Sequence, residues 1–350
     1  MTHHASERQL EEAAAFCRSI LPSVSRTFAL SIRVLPGPLG DAVRTSYLLC
    51  RIADTIEDDQ AMAAEPKAMM LEQLEACFDD PRAADHFVAH AEHLRGDEAH
   101  IRLVANAHHV FLCYRSLPSS SRDAVRRWVL EMIGGMRKFV LAYPAGIRIQ
   151  SLDEYREYCY YVAGTVGYLL TDLWHEHSRS IGQAEYSILK ERSRSFAEAL
   201  QTVNILKDVA TDAARENAVY IPEQLLLAHG GSQASLISGD RRSENEAAMR
   251  VLLRLALNDL EQAKAYLLSI PRRALAIRLF CLLPLLFAYA TLRQLAKPFV
   301  LVQHKLVKIS RKEVKTLTWL GVTGVWSNHV ITWLIEWARG GALADEMTAI

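Results

Sequence analysis

The stretch Asp54-Thr55-Ile56-Glu57-Asp58 decides how this chain is interpreted, because its D-x-x-x-D spacing recurs at Asp208 and Asp212 in another apolar, helix-like segment. An i, i+4 spacing places both carboxylates of a pair on one face of a helix. Like charges there cost an isolated helix about 0.2–0.5 kcal/mol per pair, and partial burial raises that cost. We therefore expect a cation at each pair. Mg²⁺ is the best candidate, since it binds one or two carboxylates and keeps phosphate oxygens and waters as its other ligands.

Helical periodicity runs along the whole chain, and signals for β-strands or hairpin turns are nearly absent. Helices are predicted near residues 7–19, 23–34, 41–57, 66–77, 84–93, 99–115, 122–142, 152–176, 185–212, 222–228, 243–268, 271–295 and 311–338. The breaks between them, such as residues 230–239, are too short for interdomain linkers. The chain has 350 residues and 50% of them are hydrophobic, which is enough for a large core. We predict an all-α fold in which residues 1–350 form a single domain.

The composition narrows the possible functions. The 40 Lys and Arg residues balance the 40 Asp and Glu residues, so no overall field attracts nucleic acid. The polar N-terminal residues do not form a secretory signal. The apolar stretch Leu279–Leu292 is interpreted as too short for a membrane span and contains Pro284. The uncharged stretch Thr316–Ile335 is rich in threonine and is interpreted as a soluble helix.

Each aspartate pair continues into a polar stripe on its helix. The first stripe adds Tyr47 and Arg51, and the second adds Gln201 and Asn204. The core side of the first helix is predicted to comprise Val43, Leu49, Ile52 and Ile56. The cations expected beside the second pair are Lys207 and Arg215. A solvated charged face is the common fate of aspartate on a helix, but two matching pairs on extended stripes favour a metal–diphosphate site.

The stretch Ser25-Arg26-Thr27-Phe28 precedes an apolar run. A positive charge at a helix N-terminus opposes the macrodipole, so Arg26 is a poor capping residue. Its planar guanidinium suits diphosphate oxygens instead. An ordinary surface arginine is the alternative, and spacing alone leaves it open.

The segment Tyr158–Gly167 places two glycines, Gly164 and Gly167, in the middle of a predicted helix. Each costs about 1 kcal/mol relative to alanine, which indicates close approach of the backbone to another helix or to a ligand. Tyr158, Val162 and Thr165 share a face and form an apolar wall with a hydroxyl at one end. Helix packing and ligand contact are equally supported.

Together these segments resemble the squalene and phytoene synthase family of head-to-head prenyl synthases. The matching motifs are S-R-T-F (Ser25–Phe28), D-T-I-E-D (Asp54–Asp58), Y-C-Y-Y-V-A-G-T-V-G (Tyr158–Gly167), N-I-L-K-D-V-A-T-D (Asn204–Asp212) and R-E-N-A-V-Y-I-P (Arg215–Pro222). They occur in the family's order. The resemblance implies an isoprenoid-synthase helical bundle around a central cavity.

Beyond Pro222 the chain resembles squalene synthases more than phytoene synthases, through Phe280–Pro284 and the basic stretch Val307–Lys312. A comparable basic segment in squalene synthases is associated with the NADPH phosphates. The resemblance therefore assigns cofactor binding to Lys308, Ser310, Arg311 and Lys312. Departures from the family pattern are Ser19 in place of a lysine, Lys207 in place of arginine and Tyr160 in place of histidine. The membrane anchor of eukaryotic squalene synthases is missing, so a cytoplasmic enzyme is expected, with peripheral membrane contact left open.

The resemblance also assigns roles to individual residues. The implied metal ligands are Asp54, Asp58, Asn204, Asp208 and Asp212. The implied substrate and diphosphate contacts are Ser25, Arg26, Tyr47, Arg51, Gln201, Asn204, Lys207, Arg215, Val162, Val166 and Gly167. The implied catalytic set comprises the four aspartates and Arg51, Tyr158 near a proton transfer, and Phe28 and Phe280 as aromatic faces near the carbocations.

The implied reaction joins two farnesyl diphosphates through presqualene diphosphate to squalene, with Mg²⁺ and NADPH as cofactors. The alternatives left open are phytoene synthase on longer substrates, dehydrosqualene synthase without the hydride, and arrest at presqualene diphosphate. A non-catalytic helical assembly protein is a minor alternative, because such a relative would be expected to lose an aspartate pair or Tyr158. Prenyl diphosphates are the expected partners, nucleic acid is not expected, and the oligomeric state is left open.

A tryptophan repeat near the C-terminus falls outside the family motifs. Trp319, Trp326 and Trp333 recur every seven residues, with Val322, Val330 and Trp337 on the same side. Apolar helix faces usually belong to the core, so docking on the core is the favoured interpretation. The alternative is a membrane-interfacial face, where tryptophan is enriched.

Overall fold

A computed structural model describes residues 2–303 and 307–348, except for the side chains of residues 2–6, 26–27, 342 and 344–348. The described residues are mainly helical, and their one β-type pairing is an isolated parallel bridge between Arg148 and Val219. The predicted all-α class is confirmed. The chain divides into two compact units, Met1–Ala145 with Asp172–His177, and Gly146–Thr171 with Ser178–Ile350. The single domain and the central cavity stay predictions.

The first unit is built around one long buried helix, α3. Its elements are α1 (Thr2–Val24), α2 (Arg26–Ile32), α3 (Gly37–Glu57), α4 (Ala64–Ala76), α5 (Pro81–Phe87), a 3₁₀ segment (Val88–His93), α6 (Glu98–Val104), α7 (Ala107–Ser116) and α8 (Ser119–Ala142). Helix α3 contacts α1, α6, α7 and α8. The predicted core residues Val43, Leu49, Ile52 and Ile56 are all buried, at 3% exposure or less. Their burial fixes the opposite face of α3 as the polar one.

The second unit centres on the pair of long helices α11 and α14. Its elements are α9 (Leu152–Cys159), a π-helix (Tyr160–Gly164), α10 (Thr165–His177), α11 (Gln183–Arg215), α12 (Glu223–Ala228), α13 (Gln233–Ser238), α14 (Arg242–Ser269), α15 (Leu275–Leu295), α16 (Arg311–Gly324) and α17 (Asn328–Thr348). The end of α10, Asp172–His177, belongs to the first unit. Helix α15 packs against α11, α14, α16 and α17, and its residues form much of the core.

Several predicted boundaries were wrong. The helix predicted over 99–115 is divided at residues 105–106, where Asn106 leaves helical geometry with φ −123°. The break predicted over 230–239 contains α13, because Ser232 and Ser235 cap its first turn with reciprocal hydrogen bonds. The helix predicted over 311–338 is divided between Gly324 and Asn328, and α17 kinks at Gly340.

Helix α15 runs for 21 residues, from Leu275 to Leu295, within the helix predicted over 271–295. The fourteen-residue apolar stretch is only part of it, and Arg278 lies inside the helix just before that stretch. That arginine is fully buried and donates to the carbonyl oxygens of Ile270 and Val325 and to Asn328 Oδ1. Within the described residues, α15 is the one helix whose length and mean hydropathy of 2.0 reach those of a membrane span, and 83% of that window is buried. The length argument against a span was therefore wrong, while the burial is typical of a core helix.

Candidate active site

The first aspartate pair lies at the C-terminal end of α3. Asp58 is the C-cap residue, and its N–H donates to Asp54 O at 2.9 Å. Both carboxylates therefore project from one end of the same helical face, as predicted. Burial raises the pKa of Asp54 above its ordinary value, although Arg51 and His100 act in the opposite direction. A nearby cation would relieve this penalty on the ionised form.

A chain of contacts connects four of the predicted residues of this unit. The rings of Phe28 and Tyr47 lie 5.5 Å apart between centroids. Arg51 Nη2 donates to Tyr47 OH at 3.1 Å, and Arg51 Nη1 lies 3.4 Å from Asp54 Oδ2. Arg51 Nε is buried and has no hydrogen-bond partner among the described residues. Sequence spacing thus identified a real cluster, with one donor still to be satisfied.

Arg51 is held as a cation by its surroundings. Burial alone would lower its pKa, but Asp54, Tyr47 and Asp58 together keep the pKa above its ordinary value. A guanidinium fixed on two sides and unsatisfied on a third suits an incoming anion.

The S-R-T-F motif forms the start of α2. Ser25 is the N-cap, and its Oγ accepts from Phe28 N at 3.2 Å. This capping bond accounts for the serine without any ligand. Arg26 is the first residue of α2, but its side chain lies outside the described residues.

Two residues of this region escaped the sequence reasoning. His100 on α6 interacts electrostatically with Arg51 and Asp54, and burial lowers its pKa. No motif pointed to it, because α6 lies far from α3 along the chain. Asp59 is 2% exposed and accepts from the backbone N–H groups of Ala61, Met62 and Arg95. This third aspartate therefore anchors the loop after α3. Its position directly after Asp58 was the only sign of it in the sequence.

The second pair lies near the C-terminal end of α11. Lys207 Nζ is 2.8 Å from Asp208 Oδ2, and both side chains are about one quarter exposed, at 27% and 26%. Asn204 and Arg215 are exposed, whereas Gln201 is partly buried. The backbone oxygen of Asp212 accepts from Glu216 N and Ala218 N, which closes the helix. The ion pair is as exposed as that of the first pair, where Arg51 and Asp54 are 26% and 28% exposed. The difference lies in the flanking residues, since Asn204 and Arg215 are exposed whereas Tyr47 is partly buried.

The segment after α11 leads to the predicted catalytic tyrosine. Tyr158 is 4% exposed, and its ring stacks on Tyr220 with centroids 4.7 Å apart. Tyr220 follows Asn217, which has a left-handed φ of 48° and whose backbone oxygen accepts from Arg148 Nη1. The turn brings the R-E-N-A-V-Y-I-P motif onto the tyrosine motif. Neither the stacking nor its partner was predicted.

The two glycines of the tyrosine motif lie against α11. A Cβ on Gly167 would approach Ser193 O to 2.1 Å, and one on Gly164 would approach Glu198 Oε1 to 3.0 Å. Close helix packing therefore explains Gly167, and Val162 and Val166 beside it are partly buried. The residues just before it, Tyr160–Gly164, form a π-helix, a rare element that is frequent at functional sites.

A partly buried ionic cluster lies beside the π-helix. Arg194 Nε donates to Glu198 Oε1 at 2.5 Å and lies over the ring of Tyr160 at 4.9 Å. Burial raises the pKa of Glu198, and Arg194 lowers it only in part. Burial likewise raises the pKa of Asp259, which interacts with Arg156 and Arg194. The cluster supports the segment that carries Tyr158.

The C-terminal candidates have mixed environments. Phe280 is 3% exposed within α15. Ser310 caps α16 and accepts from Glu313 N at 3.1 Å. The remaining candidates of the basic stretch, all exposed, are Lys308, Arg311 and Lys312. A pocket of about 130 Å³ lined by Val209, Ala213, Leu301 and Val302 shows that the chain approaching the basic stretch runs beside α11 near the second pair.

Metal binding was tested on the donor groups themselves. Within the described residues, no three His, Cys, Asp or Glu side chains gather closely enough to form a metal site by themselves. A pair of carboxylates is nevertheless what Mg²⁺ takes when substrate phosphates and waters complete its coordination. The penalised charge of Asp54 and the partly exposed pair on α11 fit such an ion.

The chain was compared with known protein families and proteins. The family model described as squalene/phytoene synthase matches residues 21–313. Squalene synthase 8 of Panax ginseng is 30% identical over 291 residues, which cover 82% of this chain and 69% of the ginseng protein. Squalene synthase of Nicotiana benthamiana is 29% identical over 279 residues, covering 79% of this chain and 63% of that protein.

Solved structures share the fold. A ligand complex of TcSQS has a TM-score of 0.79 at 22% identity and covers 96% of each chain. A dehydrosqualene synthase in complex with a ligand has a TM-score of 0.64 at 22% identity, covering 91% of this chain and 98% of that one. These similarities confirm the all-α fold, and the family model with its curated relatives confirms the resemblance. The chain belongs to the squalene/phytoene synthase family of prenyltransferases.

Proposed function

We propose that this protein condenses two molecules of farnesyl diphosphate head to head, through presqualene diphosphate, to squalene. The squalene synthases among its relatives support this choice of product. The observation that carries the proposal is the Tyr47–Arg51–Asp54 cluster, in which Arg51 keeps a buried donor without a partner beside an acidic pair. Such a site binds an anion and a cation side by side, as a metal diphosphate requires.

The first chemical step breaks the C1–O bond of one farnesyl diphosphate and releases its diphosphate. The electron pair leaves with the oxygen, so negative charge develops beside the cationic groups. Arg51 is fixed by Tyr47 and Asp54 before substrate arrives, so its charge needs no reorganisation during the step. The same role on α11 falls to Lys207 and the exposed Arg215.

Mg²⁺ would be held by Asp54 and Asp58 on α3 and by Asp208 and Asp212 on α11, with Asn204 as a further ligand. When bound, it supplies charge neutralisation for the departing diphosphate. The carboxylates contribute by their placement on one face of each helix. Burial around Asp54 strengthens its attraction for a cation relative to a carboxylate in water.

The allylic cation then adds to the C2–C3 double bond of the second substrate, and loss of a proton closes the cyclopropane ring. Tyr158 is the candidate for this transfer or for stabilising the cation by its ring. Its side chain is 4% exposed, and its stacking on Tyr220 fixes the ring. Phe28 and Phe280 are the other aromatic candidates.

The reductive half of the reaction needs a hydride, which NADPH supplies when bound. The basic stretch is the candidate site for its phosphates, because Lys308, Arg311 and Lys312 are exposed cations within five residues. Ser310 already caps α16, so its hydroxyl offers at most an additional contact. Leu301 and Val302, upstream of the basic stretch, line a pocket with Val209 on α11, which supports a cofactor near the second pair.

A reaction without the hydride is the second candidate, favoured by the fold shared with a dehydrosqualene synthase. Incubation with farnesyl diphosphate and Mg²⁺, with and without NADPH, followed by product identification, separates the two. We expect squalene when NADPH is present and presqualene diphosphate or dehydrosqualene when it is omitted. The same product in both incubations would contradict the reductive step, and a C40 product made preferentially from geranylgeranyl diphosphate would contradict the choice of substrate.

A further inference from the structure

The C-terminal helices expose aromatic side chains that the proposed chemistry does not use. Four of the six tryptophans of the chain lie between residues 319 and 337. Their exposed fractions are 65% for Trp319, 62% for Trp326, 58% for Trp333 and 43% for Trp337. Val322 is 51% exposed. These five residues are called the tryptophan surface, and the predicted docking of this face on the core was wrong.

The core of the second unit buries other residues of α16 and α17 and leaves the tryptophan surface exposed. Helix α16 packs on α15 through Leu317 and Gly321, where an added Cβ on Gly321 would lie 3.1 Å from Leu283 Cδ2. Helix α17 packs inward through fully buried side chains, namely Ile331, Leu334, Ile335 and Ala338. Each helix therefore packs one apolar face on its own unit and exposes other apolar residues to solvent. Large indole rings left in water cost free energy, so an occupant for this face is expected.

The charges next to these rings are positive. On α16, Lys312 and Lys315 precede Trp319 and Val322 on one stripe at helical spacing, and both lysines are exposed. Trp326 follows in the turn after the helix. The acidic neighbours are paired: Glu313 with Arg293, and Glu336 with Lys264 and Arg339. Among the described residues neither lysine has an acidic partner. The stripe therefore presents two cations followed by aromatic rings. Along the helix axis, Lys312 and Trp319 are about 10 Å apart.

We propose that the tryptophan surface docks on a lipid bilayer that contains anionic lipids. Tryptophan prefers the boundary between headgroups and hydrocarbon, where its ring is buried and its N–H stays near water. Trp326 illustrates the geometry, because its Nε1 already donates to Thr323 O at 2.8 Å while the ring remains exposed. Lysines on the same stripe reach anionic headgroups with their stems along the apolar boundary. A protein partner is a weaker match, since the centres of protein interfaces are depleted in lysine.

The test is flotation of the full chain with vesicles of phosphatidylcholine alone or mixed with phosphatidylglycerol. We expect flotation with the mixed vesicles, and quenching of tryptophan emission by brominated lipid. Trp319→Gln combined with Trp333→Gln should weaken partitioning into the vesicles roughly tenfold or more, since each change removes a large ring that the bilayer would bury. Lys315→Gln should weaken it about fivefold at low salt and less at high salt.

The matched control is Met69→Gln combined with Leu227→Gln, which changes two apolar residues that are equally exposed, at 60% each, on other helices. This control should float like the wild type. The tryptophan variant should keep its thermal unfolding temperature and its rate of diphosphate release, so a failure of the proposed reaction stays separate from a failure of lipid binding. Wild-type protein that floats with neither vesicle, or a tryptophan variant that floats normally, would overturn the proposal. A lipid-free dimer that the variant converts to a monomer, without lipid quenching, would overturn it in favour of self-association.

Discussion

The two aspartate pairs have the same spacing and different surroundings. On α3, Arg51 is fixed by Tyr47 and Asp54, and burial raises the pKa of Asp54. On α11, Lys207 Nζ lies 2.8 Å from Asp208 Oδ2, and the flanking Asn204 and Arg215 are exposed. The first pair is therefore supported by a connected set of partly buried side chains, whereas the second is supported by an ion pair of equal exposure whose flanking residues are exposed.

Two aspartate pairs with the same spacing can therefore contribute different interaction energies. Two unit charges at 4 Å interact by about 1 kcal/mol in water and about 4 kcal/mol at an effective dielectric near 20. Burial raises the pKa of Asp54 and Arg51 has two partners, so changes to the cluster on α3 should cost more than comparable changes on α11. The position of α11 is instead set by its backbone, because α10 approaches it closely at Gly167.

The largest effect is expected for Arg51→Lys. Lysine keeps the charge but loses the fork that contacts Tyr47 and Asp54 together, so preorganisation at the diphosphate is lost. We expect kcat/KM for diphosphate release from farnesyl diphosphate to fall about 10²–10³-fold. Arg44→Lys is the control on the same helix, where the arginine pairs with the exposed Asp41, and it should retain wild-type activity. Equal rates for both variants would remove Arg51 from the proposed machinery.

The next effect tests how α11 is held. Gly167→Ala would place a Cβ 2.1 Å from Ser193 O, so α10 and α11 must separate. Overpacking of this kind destabilises proteins by about 1–3 kcal/mol, to be measured by urea unfolding. Gly134→Ala on α8 is the control, because nothing lies within 4 Å of its added Cβ, and helix propensity should make it neutral or slightly stabilising. Similar stabilities for the two variants would contradict close backbone packing at Gly167.

A smaller loss of activity is expected for Lys207→Gln. The removed charge lies at a partly exposed ion pair with Asp208, where solvent screens it. We expect kcat/KM to fall about tenfold or less. The effect should weaken further as ionic strength rises, in contrast to the effect at Arg51. A fall in kcat/KM as large as that of Arg51→Lys would show that the two aspartate pairs contribute equally, which contradicts the expected difference between them. Arg192→Gln, upstream on α11, serves as the charge-matched control.

The smallest effect concerns pH and the cluster beside the π-helix. Burial raises the pKa of Asp259, so the folded state favours its protonated form. The stabilisation from this group is complete below its unfolded pKa of about 3.9 and is lost as pH rises through the raised folded value. The Asp259→Asn variant has no carboxyl group to ionise at this position, so it cannot lose this stabilisation. The free energy of unfolding of Asp259→Asn, relative to wild type, should therefore increase from about pH 4 to about pH 7. A difference that does not change with pH would contradict the raised pKa.

The sequence predicted the parts of the molecule that depend on local periodicity. The all-α class, the buried face of α3 and the shared face of Asp54 and Asp58 follow from the spacing of apolar and acidic residues. The Phe28–Tyr47–Arg51–Asp54 contacts also agree with the residues singled out beforehand. Individual motifs were ambiguous, and their order along the chain indicated the family.

Features that depend on contacts between distant segments could not be predicted. The stacking of Tyr158 on Tyr220 depends on the left-handed turn at Asn217, and the link of His100 to Arg51 depends on how α6 packs on α3. Arg278 lies inside the helix predicted over 271–295, but its burial with three acceptors in the core could not be predicted, so the apolar stretch was counted only from Leu279. The tryptophan repeat crosses the break between α16 and α17, and periodicity assigns its residues to a core or to a surface equally well. Only the packing of the other faces of these helices decides.

The most direct test of the central claim compares Asp54→Asn and Asp208→Asn in a single-turnover assay of diphosphate release from farnesyl diphosphate with Mg²⁺. Asparagine keeps the size of each side chain and removes its charge, so thermal unfolding should show both variants folded. We expect diphosphate release to fall at least about 10²-fold in both variants, with the larger loss at Asp54. Wild-type release by either folded variant would contradict the claim that both aspartate pairs serve a metal diphosphate.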